Sequence, residues 1–106
     1  MEVDKAIQTI KRCFNKPKKK LVLSRHFQDQ CKERDLDVAG ILERCKNCKI
    51  LGIVEQEDDL YKVWIKYTED TDVIVAIKIL SKEKIKLITI FPQKSERRKR
   101  NEKIGK

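Results

Sequence analysis

Apolar residues recur along the chain first with the period of a helix and then with the period of a strand. Val3, Ile7, Ile10 and Phe14 form one stripe, which predicts an amphipathic helix over 2–14. Asn15-Lys16-Pro17 ends it, because proline disfavours the helical conformation of the residue before it. Leu21–Leu23 reads as a short extended segment. Ser24 is a good N-cap for a second helix running from Arg25 to near Arg34. Asp37 caps a third over 38–48, with Val38, Ile41, Leu42 and Cys45 on its apolar face.

From residue 49 the period becomes two. KILGIVE, LYKVWIKYT, DVIVAIKIL and KIKLITIF are β-branched or aromatic runs joined by short polar connections. In the second run Tyr61, Val63, Ile65 and Tyr67 share the face expected to meet the helices, and Lys62, Trp64 and Lys66 share the other. Pro92 is expected to end the last strand. The pattern predicts an α+β fold, with the N-terminal helices packed on a four-stranded antiparallel β-meander: a single domain over 1–92 and a basic tail over 93–106.

Composition narrows the partner. Of 106 residues, 40% are hydrophobic, enough for one core, while 41% are charged and the net charge is +9. Residues 1–25 hold eight Lys/Arg against two acids, 26–93 hold eleven against thirteen, and 94–106 hold seven against two. Two separate basic runs, Lys18-Lys19-Lys20 and the tail with Lys94, Arg97, Arg98 and Arg100, point to a polyanion such as RNA, whose condensed counterions they would release. Neither run is interleaved with large apolar side chains, and no apolar stretch nears the ~20 residues of a membrane span, so no membrane role and a cytoplasmic location are expected.

Four cysteines stand at 13, 31, 45 and 48. Cys45-Lys46-Asn47-Cys48 is a CxxC pair, but Cys13 and Cys31 lie singly inside predicted helices rather than in the second pair that marks a zinc ribbon. Structural thiols are the expectation, with no metal and no cofactor.

His26 is the only histidine. Placed at a helix start beside Arg25, after Lys18–Lys20 and ahead of Arg34, it sits among positive charges at the positive end of a helix dipole. A neutral imidazole can act as general base, and a helix N-terminus flanked by Arg and Lys binds phosphate. Together these describe RNA cleavage by attack of the 2′-hydroxyl on the adjacent phosphate.

The segment SRHFQDQCKERDLD with ILERCK, and the closing KLITIFPQKSERRKR, resemble a small-domain family grouped with the RelE, BrnT and colicin D toxin nucleases, the barnase–EndoU–colicin–RelE fold. The likeness runs from about Leu21 to Arg100. It implies a toxin-type endoribonuclease in which His26 takes the place of the nuclease histidine and Arg25 that of the basic residue before it. Arg34 matches the arginine eight residues on. Thr89 and Phe91 match a hydroxyl residue and an aromatic spaced by two, for phosphate and base contact. An acidic antitoxin is the implied protein partner. The chain departs from the pattern at Asp35, where glycine is frequent, at Gln30, where a basic residue is frequent, and at Leu23, where colicin D-like sites carry lysine. The alternative is a non-catalytic basic nucleic-acid-binding protein or regulator with Trp64 as a stacking platform. A third class is an assembly subunit whose tail contacts ribosomal RNA.

Overall fold

The computed structural model describes residues 3–16, 20–47 and 50–94. Among them, helix α1 (Val3–Asn15) leads to strand β1 (Leu21–Leu23), helices α2 (Arg25–Glu33) and α3 (Val38–Asn47), and strands β2 (Ile50–Glu57), β3 (Leu60–Lys66), β4 (Thr71–Ser81) and β5 (Lys84–Lys94). The α+β class and the helix positions agree with the sequence pattern. The sheet differs from it. It has five strands in the order β1-β5-β4-β3-β2, with β1 parallel to β5 and the remaining pairs antiparallel. A three-residue run such as Leu21–Leu23 is too short to show a strand period, and its partner lies over sixty residues on, where Leu21 pairs with Ile85 and Leu23 with Leu87.

One face of the sheet carries the core. Ile53, Val63, Val75 and Ile90 form one row across β2 to β5, and Tyr61, Ile65, Val73, Ile77, Ile85 and Leu87 complete the surface. Ala6, Ile10, Cys13 and Phe14 of α1, Phe27 and Cys31 of α2, and Ile41 of α3 pack against it. Val3 and Ile7 are only partly buried, so the buried stripe of α1 centres on Ala6 and Ile10. Burying each large side chain contributes about 1.5–3 kcal/mol.

Helix ends follow local chemistry. Ser24 Oγ accepts the N–H of Phe27 at 2.9 Å, the bond expected of an N-cap. At the other end of α2, Leu36 N–H reaches Cys31 O at 2.7 Å and Asp35 N–H reaches Lys32 O at 3.3 Å, a Schellman closure. Asp35 is the left-handed residue of that closure, with φ 55°. The conformation for which glycine is favoured is therefore kept, although the glycine is not. Asp37 O accepts the N–H of Ile41, which places Asp37 at the head of α3. Its carboxylate lies over Gly40, where a Cβ would come within 2.7 Å of Oδ2.

Pro92 does not end β5. It pairs with Val73, and the strand continues to Lys94, past the expected domain boundary. Among the described residues no strand flanks β5 on its other side beyond Leu87, and a proline is tolerated where its missing N–H faces an unpaired edge.

Candidate nucleic-acid interface at the edge of the sheet

A bulge in β5 decides which residues face outward. Ile77 pairs with Leu87 and Ala76 with Thr89, so Ile88 is the extra residue. Before it, Ile85 and Leu87 point into the core; after it, Ile90 does. Thr89, Phe91 and Gln93 are thereby turned to the face away from the core, which an unbroken alternation would have denied them.

At the same point α2 takes over from β1 as the neighbour of β5. Ser24 N–H donates to Leu87 O at 3.0 Å, Ser24 Oγ donates to Ile88 O at 2.8 Å, and Gln30 Oε1 accepts the N–H of Ile90 at 2.9 Å. These bonds bracket Thr89. His26, Gln30 and Arg34 recur every four residues on one stripe of α2, and Gln30 shows that this stripe borders β5. His26 and Arg25 are exposed in the first turn. Arg34, also exposed, is the C-cap residue, about 12 Å further along at 1.5 Å per residue. The Ser24 and Gln30 bonds thus dock α2 against the Thr89 segment of β5, with Arg25 and His26 exposed in the first turn of the helix and Arg34 at its far end.

The basic residues divide. Lys20 is largely covered and ion-paired with Glu83 in the β4–β5 turn, where Arg12 Nη1 lies 3.8 Å from the same carboxylate. The Lys20 hydrogen bond holds the Glu83 carboxyl below its ordinary range. Lys94 is exposed at the end of β5. Lys18, Lys19, Arg97, Arg98 and Arg100 lie outside the described residues.

Trp64 is not an open stacking platform. It stands on the outward face as the alternation requires, but only 7% of it is exposed. In register with it run Gly52, Ile74 and Phe91, an apolar row crossing four strands, and Ile74 is 2% exposed. Neither Trp64 nor Ile74 belongs to the helix-covered core, so the sheet is apolar on both faces. The next row is Lys66, Asp72 and Gln93, with Asp72 fully buried.

Cys13 and Cys31 are buried free thiols on the helix side, and burial pushes both thiols up from their ordinary range. Among the described residues no group of three or more His, Cys, Asp or Glu could hold a metal ion. Cys48 lies outside the described residues. A pocket of about 450 Å³ opens on the other side of α2, lined by Leu23, Gln28, Asp29, Cys31, Lys32, Leu36 and Val38. His26 does not line it. Among the described residues no helix is long and apolar enough to cross a membrane.

Sequence reasoning missed Gln30, which had only the look of a lost basic residue, and the outward Lys78 and Lys86. The signal for the lysines was present in the strand alternation. For Gln30 none was, because its partner is a backbone group sixty residues away. No family model, curated protein or solved structure matches the chain.

Proposed function

We propose that the protein is a toxin-type endoribonuclease of the RelE, BrnT and colicin D kind, acting on cytoplasmic RNA. The observation that supports this reading is the docking of α2, with Arg25 and His26 exposed in its first turn, against β5 through the Ser24 and Gln30 bonds that bracket Thr89. Phosphate would sit at the N-terminus of α2 against Arg25, with the Thr89 hydroxyl as a further donor. His26 takes the 2′-hydroxyl proton. The 2′-oxygen bonds to phosphorus as the bond to the 5′-oxygen breaks, and solvent at this exposed edge protonates the leaving oxygen. Arg34 serves a phosphate further along the strand, and Phe91 meets a base. Lys18, Lys19, Lys94, Arg97, Arg98 and Arg100 supply sequence-independent attraction, and an acidic antitoxin would compete for them, while Lys20 is engaged by Glu83. The order of helices before a meander, and the left-handed Asp35 at the family's glycine position, support the resemblance.

The test is cleavage of a structured RNA in EDTA, with end-group analysis. A 2′,3′-cyclic phosphate produced by the protein and not by His26→Ala supports the reading. Intact RNA under conditions where the protein binds it sinks the nuclease and leaves the second reading, a non-catalytic RNA-binding protein. The exposure of His26 outside the described pocket favours that second reading.

A further inference from the structure

The turn joining β4 to β5 carries Glu83, and cations from two other parts of the chain meet there. Lys20, just before β1, bonds the Glu83 carboxylate, and Arg12 of α1 lies 3.8 Å from it. Arg12 Nη1 also donates to Lys82 O at 3.2 Å, which holds the guanidinium beside the turn. The Lys20 hydrogen bond lowers the Glu83 carboxyl most, and the charges of Arg12 and Lys16 lower it further. Lys82 and Lys84 flank the acid in sequence.

A structural ion pair needs one cation. Here five (Arg12, Lys16, Lys20, Lys82 and Lys84) attend a single acid, so within this group four positive charges are left over. The Glu83 side chain is 61% exposed and that of Arg12 48%, whereas that of Lys20 is 17% exposed. The acid can therefore swing out into water while Lys20 stays in place, and exposed ion pairs of this kind hold only weakly. At the point it vacates it leaves a guanidinium and an ammonium group, with Lys16 close by, a donor set that suits a phosphodiester.

We infer that this corner is a phosphate site for an RNA strand, with Glu83 as the internal anion that the strand displaces. The inference rests on the RNA-acting reading and adds an anchor point and a built-in competitor. A phosphodiester takes the place of the carboxylate between Arg12 and Lys20, and neighbouring phosphates meet Lys16, Lys82 and Lys84. The exchange is favourable because the strand gives up condensed counterions, which the carboxylate does not. The fold links this corner to the candidate site. Lys20 precedes β1, the edge strand of the sheet, and Ser24 follows it, about 13 Å away at about 3.3 Å per residue. A strand laid along β1 from Lys20 thus reaches the N-terminus of α2 and Arg25.

The probe is a 12-nucleotide oligoadenylate, 2′-O-methylated so that it cannot be cut and without terminal phosphates, titrated into the full chain. Glu83→Gln should bind it at least about fivefold more tightly than wild type, because the competitor is gone. Glu57→Gln, the same charge change at an exposed position of β2, should alter binding less than about twofold. In wild type a carbodiimide should join Glu83 to Lys20 as an amide. Saturating probe should suppress that crosslink, a readout that needs no variant. Equal effects of the two substitutions, or a crosslink that persists under saturation, overturn the site. The probe is still bound in either case, so the RNA-acting reading stands without it. No binding by wild type or by Glu83→Gln removes both together. Oligoglutamate that suppresses the crosslink at lower concentration than the probe overturns the RNA assignment and gives the corner to an acidic protein.

Discussion

Gln30 Oε1 accepts the backbone N–H of Ile90 at 2.9 Å, so one side chain does for β5 what a sixth strand would otherwise do. The bond fixes α2 to the sheet at the level where the candidate site is assembled. Gln30→Ala leaves that part-buried N–H without its partner, and should cost about 1–3 kcal/mol. Gln30→Glu keeps an acceptor in place and should recover much of it. Chemical denaturation with unchanged m-values checks both.

His26 makes no contribution of this kind. It is exposed, so His26→Ala should shift stability by no more than about 0.5 kcal/mol. On the proposed nuclease reading, RNA cleavage by His26→Ala should fall by about 10²–10⁴-fold. A thermal melt beside a cleavage assay on the same preparation separates the two effects, and a loss of both together would make His26 structural.

Asp35 closes α2 in the left-handed region with φ 55°. Glycine adopts that conformation without steric cost, so Asp35→Gly should stabilise by about 0.5–1 kcal/mol even after the added freedom of the unfolded chain. A β-branched residue should do the reverse, and Asp35→Val is the matching control. Denaturant midpoints decide the sign.

Cys13 and Cys31 are neutral in the fold, with thiols raised by burial. In the unfolded chain they ionise near their ordinary value of 9.0. Above that pH the unfolded state releases protons that the folded state keeps, so stability falls as pH rises, and it is insensitive to these groups below about pH 8. Iodoacetamide at pH 8 followed by peptide mapping should leave both cysteines unmodified until denaturant is added. Labelling of either in the native protein would contradict the packing described for α1 and α2.

The periodic parts of this fold were legible in the sequence, because each depends on neighbours a few residues away. The stripe of α1, the Ser24 cap and the inward set Tyr61, Val63 and Ile65 are of that kind. Leu21–Leu23 was not readable as a sheet strand, since parallel pairing with β5 leaves no local mark. Unbroken alternation would put Ile85, Leu87, Thr89 and Phe91 on one face; the bulge at Ile88 splits them into two core and two outward residues. Pro92 looked like a terminator because the rule against proline assumes strands on both sides. Of the candidate site, His26 and Arg25 stood out by residue type. The docking of their helix against the Thr89 segment was not legible, because it rests on bonds from Ser24 and Gln30 to β5.

The pairing of Leu21–Leu23 with residues 85–87 has a temporal consequence. During synthesis the early helices emerge long before the strand that completes their docking surface. Contacts between distant parts of a chain are slow to form, and here the decisive ones join residues 21–23 to residues 85–87. The sheet edge beside α2 is therefore assembled only once β5 has left the ribosome, so products terminated before residue 84 should lack that edge.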